Sequence, residues 1–142
     1  MTIDETGEVV RAIGDEITAL VPSAQIADTA RRGDRAAPVA GSDDDPNGDY
    51  QSWDLSLDFI MVPGTAIAST AESIAMQLRD SGWTDTEPPI ADEDGREIRL
   101  LHPSAGDYRV RILTGPDGSD TPLIRIAIFG PVVDTERNVL VE

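Results

Sequence analysis

A chain of 142 residues with 27 acids against 11 bases carries a net charge of −16, and every base is an arginine. That balance argues against direct binding to nucleic acid or an anionic membrane, because phosphate recognition needs clustered cations. The absence of cysteine excludes disulfides, thiolate catalysis and cysteine zinc sites, and no apolar run is long enough to span a bilayer.

The length fits a single domain over 1–142, of a size that buries roughly 68–70% of its unfolded surface. The start, Met1-Thr2-Ile3-Asp4-Glu5, has neither a basic nor an apolar leader region, so the chain as given reads as cytoplasmic. It would read as extracytoplasmic if a signal had been removed. The acidity has three readings: an arginine-rich genome bias with a soluble surface, adaptation to high salt, or a carboxylate surface that mimics a nucleic-acid backbone.

Thr2-Ile3-Asp4-Glu5 has the spacing of a capping box. Val9, Ile13, Ile17 and Leu20 then fall on one helical face, with Val10 and Val21 at its border, and Pro22 ends the pattern. From Ser23 to Gln51 the periodicity dissolves into a long, acidic, mobile loop, interrupted at most by a short edge strand near Ala36 to Ala40. The loop holds an Arg32-Gly33-Asp34 tripeptide of the kind integrins read, which is more simply a chance match. It also holds a calcium-loop-like run, with Asp43, Asp45, Asn47, Asp49 and Asp54 as oxygen donors and Gly48 at the turn position. Calcium is the one cofactor this chain suggests. An acidic Asn-Gly turn leading into a strand is the plainer reading, since Tyr50 and the short Asp54 depart from the helix-flanked pattern.

Trp53 to Val62 alternates strictly, with Trp53, Leu55, Leu57, Phe59 and Met61 opposite Asp54, Ser56 and Asp58. This predicts a strand with one buried and one wet face. Thr65 to Ser81 predicts a helix striped by Ile67, Ala71, Ile74 and Leu78, capped by Thr65 and stopped by Gly82-Trp83. Three more strands follow between turn-rich segments: Arg96 to His102, Tyr108 to Ile112 and Leu123 to Phe129, closed by Gly130-Pro131. Asp134 to Glu142 is a short tail. The predicted fold is α+β, ordered α-β-α-β-β-β, with a four-stranded, mainly antiparallel sheet and two helices on one face. This order, with Gly82-Trp83 after the second helix and Gly130-Pro131 after the last strand, resembles small extracytoplasmic lipoproteins of actinobacteria. Members of that group carry a lipid-anchoring cysteine and often paired cysteines, for which this chain has no counterpart.

Strand alternation places Arg99, Arg109, Arg111 and Arg125 on the open sheet face with Asp54 and Asp58, flanked by Leu101, Leu123 and Phe129. Cross-strand pairing that keeps a wet face soluble is one use of that pattern. Arginine beside apolar residues is also the composition of interface cores, and it points to a protein partner. Catalysis has no comparable support: the sole histidine, His102, has only its sequence neighbours Ser104 and Asp107 for a relay, and no nucleotide-binding fingerprint occurs. The sequence therefore predicts a non-enzymatic interaction domain, with an acidic inhibitor or a calcium-binding module as alternatives.

Overall fold

The computed structural model describes residues 1–39, 48–103, 107–116 and 120–141. Helix α1 spans Ile3–Leu20. Its capping box is formed: Thr2 Oγ1 accepts from the Glu5 amide and Glu5 Oε1 accepts from the Thr2 amide, both at 3.2 Å. The stripe it buries is rotated from the one its large aliphatic residues predict. Val9 is 37% exposed and Ile13 and Leu20 are half-buried, whereas Thr6, Gly7, Val10, Gly14 and Ile17 are buried. The glycines explain the rotation. Gly7 and Gly14 lie about two turns apart on one side, so the helix backbone itself rests on the sheet.

Strand β1, Ile26–Pro38, takes up 13 residues of the stretch expected as a loop. It pairs antiparallel with β2, Tyr50–Met61, from Ile26↔Met61 to Pro38↔Gln51. Two register shifts, between Ile26 and Asp28 and between Thr29 and Arg31, break the period-2 signal. An edge strand can also carry charge on both faces, which hides it from a hydrophobic pattern. Helix α2 spans Ile67–Asp80. Thr65 does not cap it: Thr65 Oγ1 donates to the Val62 carbonyl, and the cap position is Ala66. At the other end Gly82 takes a φ of +106°, the conformation that suits glycine at a helix exit, and Trp83 turns back into the core.

After α2 come β3 (Thr84–Asp85), β4 (Ile90–Asp92), β5 (Gly95–Pro103), β6 (Asp107–Thr114), β7 (Leu123–Phe129), β8 (Val133–Asp134) and β9 (Val139–Leu140). The described strands form one nine-stranded sheet rather than the four-stranded sheet that periodicity predicts. The difference is β1 plus four short strands, two residues to three long, too brief to leave a periodic trace. The order runs β3-β5-β6-β7-β2, β1 pairs the other side of β2, β4 pairs β5, and the β8-β9 ribbon extends the start of β2. Every pairing is antiparallel.

One core cluster joins both helices to one sheet face, with Leu55, Leu57, Phe59 and Met61 of β2 beside Ile124, Ile126 and Ile128 of β7 and Ile98, Leu100, Val110 and Ile112 of β5 and β6. The predicted two-layer arrangement, with α1 and α2 on the same side, is the observed one. The second sheet face is left uncovered by helix. No described helix is long and apolar enough to cross a membrane.

Candidate functional site: the open sheet face

Registers across the five long strands arrange the open face into three rows. The first reads Arg31–Asp58–Arg125–Leu113–Glu97 from β1 to β5. The second reads Gly33–Ser56–Ala127–Arg111–Arg99. The third reads Arg35–Asp54–Phe129–Arg109–Leu101, with Thr84 of β3 beyond it. All four arginines predicted for this face lie on it, with Asp54, Asp58, Leu123 and Phe129. Leu123 pairs with Ile60 at the margin of the first row.

Sequence reasoning missed Arg31 and Arg35, because their strand was not legible, and Glu97, whose alternation with Arg99 was available. Six of the eleven arginines therefore share one face: Arg31, Arg35, Arg99, Arg109, Arg111 and Arg125.

The carboxylates on this face hold specific partners. Glu97 Oε1 accepts from Arg99 Nε at 2.6 Å and from Arg111 Nε at 2.7 Å, and Glu87 reaches Arg99 Nη1 at 3.0 Å. The hydrogen bonds from Arg111 and Arg99 keep Glu97 below the usual carboxylate range. Asp58, 8% exposed, accepts from Arg125 Nε at 3.1 Å. Asp54 differs. Burial pushes its carboxyl above the ordinary range, and the Ser52 hydroxyl at 3.2 Å and the charge of Arg35 offset only part of that. Among the described residues the Arg109 side chain has no ion-pair or hydrogen-bond partner.

Arg109 and half-buried Phe129 stand where two grooves meet. One, about 790 Å³, runs past Asp54 and Asp107 to the β8-β9 ribbon, where Pro131, Val132 and Leu140 form an apolar wall. The other, about 390 Å³, runs past Arg99 and Arg111 under a lip made by Thr86 and Glu87. A larger groove of about 860 Å³ follows the solvent side of α2. Its lining joins small and polar residues (Ala68, Ser69, Ser73, Gln77) to exposed Met76, and its one cation, Arg96, shares the groove with Glu72 and Asp80. It sets no aromatic residue beside its arginine, whereas the sheet face pairs Arg109 with Phe129, so the sheet face is the better site.

Comparison with known proteins gives no matching family model, no matching curated sequence and no matching solved structure. The site therefore rests on its own geometry.

Other motifs fare less well. Arg32 and Asp34 of the Arg-Gly-Asp tripeptide lie on the helix side of β1. There Arg32 pairs with Asp15 at 2.8 Å, and Asp34 Oδ2 accepts from Arg11 Nε and Trp53 Nε1, each at 2.7 Å. Both side chains are engaged within the fold, and the tripeptide is not displayed at a loop tip. Of the calcium-loop donors, Asp43, Asp45 and Asn47 lie outside the described residues. Asp49 uses its carbonyl to accept from the Thr135 amide and hydroxyl, and Asp54 turns to the open face. No group of three or more His, Asp or Glu placed to hold a metal occurs among the described residues. His102 packs edge-on against Trp83, with ring centroids 5.2 Å apart, on the helix side. Asp107 shares the open face with Arg109, so the two are not brought together.

Proposed function

We propose that this chain is a non-enzymatic interaction domain that docks a protein partner on the open sheet face. The observation that carries the reading is Arg109: an exposed guanidinium without a counter-ion among the described residues, beside half-buried Phe129 at the junction of two grooves. Every other arginine of the second and third rows has a carboxylate within reach or feels one, through Glu97, Glu87 or Asp54. An exposed arginine beside an aromatic side chain, on a face where Arg99, Arg111 and Arg125 are held by carboxylates, presents an anchor of the kind interface hot spots use. The complementary partner surface carries a carboxylate for Arg109 and an apolar side chain for the groove beside Phe129.

The test is partner capture by the wild-type chain and by the Arg109→Ser, Arg111→Ser double variant. A protein retained by the first and lost by the second, with unchanged thermal melting, supports the reading. Equal capture by both removes it.

A second reading is an acidic inhibitor acting through carboxylates. The exposed side of α1 favours it, where Asp4, Glu5, Glu8, Asp15 and Glu16 all face solvent. Salt separates the two. Binding through α1 carboxylates should weaken steeply with ionic strength, and binding through Arg109 and Phe129 much less.

A further inference from the structure

The edge of β1 is a second surface, independent of Arg109. Among the described residues β1 pairs only with β2, so its outer row of amide and carbonyl groups has no strand beside it. Beyond the two register shifts, Arg31 to Ala37 runs regularly against β2, giving seven residues of straight edge before Pro38. The strand is also held in place. Arg32 and Asp34 tie its helix side to Asp15 and Arg11 of α1, and Asp34 also holds Trp53 of β2. Such an edge needs no reorganisation to accept another strand.

Its charge selects what that strand can be. Arg31 and Arg35 stand on the open face of the edge, both exposed, with Gly33 between them. A side chain at Gly33 would meet nothing within 4 Å, so the space above it is open. Asp58, opposite Arg31, is already taken by Arg125, and Asp54, opposite Arg35, is half-buried, bonded by the Ser52 hydroxyl and in no ion pair with Arg35. In a chain of net charge −16, this edge is a place where cations lack full compensation.

A second copy is a poor fit. With both open faces on one side, antiparallel pairing of β1 with itself centred on Gly33 sets Arg31 against Arg35. The complementary Arg32–Asp34 pairs of that register fall on the helix side, where Asp15 and Arg11 of α1 already engage both. Centring on Arg31, Arg32 or Arg35 sets that arginine against itself, and centring on Asp34 sets two aspartates together. Like charges directly opposite destabilise a strand pair.

We infer that β1 accepts an extended acidic segment of a partner by strand addition, with carboxylates opposite Arg31 and Arg35 and an apolar residue between them over Gly33. On an added strand those carboxylates are four residues apart, with the apolar residue midway, because alternate side chains share a face. Main-chain hydrogen bonds supply the general affinity of strand addition, and the two arginines supply the preference for acid.

The probe is a seven-residue peptide with glutamate at its second and sixth positions, valine at its fourth and threonine elsewhere. Its control carries lysine in place of both glutamates. We expect the glutamate peptide to bind the full chain and slow amide exchange along 31–37, and the lysine peptide to fail. The Arg31→Glu, Arg35→Glu variant should reverse that preference. The milder Arg31→Gln, Arg35→Gln variant, which retains the fold if the reversal does not, should lose about tenfold in affinity, the scale of two exposed ion pairs. The Arg109→Ser, Arg111→Ser variant should bind the peptide as the wild type does, so failure of the open-face reading and failure of this one are separable. No binding at about 1 mM peptide, where affinity is only about −4 kcal/mol, overturns the proposal. So does binding that leaves exchange at 31–37 unchanged, or a chain that sediments as a dimer dissociated by Arg31→Glu, Arg35→Glu.

Discussion

Gly7 of α1 rests directly on the indole of Trp53: a methyl group built at Gly7 would lie 2.6 Å from Trp53 Cδ2 and 2.8 Å from Cε2 and Cε3. No real side chain sits that close, so Gly7→Ala must lift the helix or displace the ring. Overpacking of this kind costs about 1–3 kcal/mol, against a gain of roughly 0.5–1 kcal/mol for replacing glycine by alanine within a helix. The expected result is a net loss of up to about 2.5 kcal/mol, centred near 1, on those two terms. Gly14→Ala is the control, because its nearest neighbour is the flexible Leu55 Cδ1 at 3.2 Å, and it should be close to neutral. Urea midpoints for the two variants decide the matter. If Gly7→Ala is as stable as the wild type, the close seating of α1 on Trp53 is wrong.

Asp34 holds the same tryptophan at its ring nitrogen. Its Oδ2 accepts from Trp53 Nε1 and Arg11 Nε, and the Arg11 guanidinium lies 4.8 Å from the indole centroid. Burial alone would raise the Asp34 carboxyl, but the bonds from Trp53 and Arg11 and the charges of Arg11 and Arg32 outweigh it and leave it below its ordinary value. Asp34→Ala strands the indole N–H, and we expect a loss of about 1–3 kcal/mol. Asp34→Asn keeps an acceptor and should cost less. A depressed folded-state value means the charge stabilises above the unfolded carboxylate range, and the contribution disappears as pH falls through the folded value. The deficit of Asp34→Asn should therefore shrink on acidification. A deficit independent of pH would contradict the assignment.

Asp54 should behave in the opposite way. Burial raises its folded-state value, so the native state binds its proton more tightly than the unfolded chain does, and stability falls as pH climbs from the unfolded to the folded value. Asp54→Asn removes that penalty while keeping an acceptor for Ser52 Oγ, which donates at 3.2 Å. The variant should match the wild type in acid and exceed it at neutral pH. Melting temperatures at both pH values provide the check, and a variant less stable at neutral pH would reverse the sign argued here.

What the sequence showed and what it hid both follow from where large side chains sit. The buried apolar residues of β2, β5, β6 and β7 alternate strictly, so those strands, their shared core face and the four arginines opposite were legible from spacing. β1 was not, because as an edge strand it carries Arg32 and Asp34 on the side where a central strand would place Leu or Ile. The face of α1 was misjudged for a related reason. Its backbone comes closest to the sheet at Gly7 and Gly14, and a hydrophobic pattern counts what protrudes, not what is missing. Arg31 and Arg35 were lost with their strand. Arg109 was found, but its lack of a counter-ion is a fact of three-dimensional geometry that no spacing contains.

The last prediction concerns Glu97, which keeps two arginines apart. Arg99 and Arg111 are directly opposed in the β5-β6 register, an arrangement that is repulsive when left alone. One oxygen of Glu97 accepts from the Nε of both, and Glu97 is only 17% exposed in its side chain while the arginines are more open. Glu97→Gln keeps the shape and an acceptor but removes the negative charge between the two cations. We expect a lower denaturation midpoint in dilute buffer that recovers toward the wild type at about 1 M salt, where the Debye length is about 3 Å and the Arg99–Arg111 repulsion is screened. Adding Arg99→Gln to Glu97→Gln should restore much of the loss without salt, because the opposed charge is gone. A deficit that neither salt nor the second substitution relieves would mean that Glu97 acts through packing, and the charge balance of the second row would need another explanation.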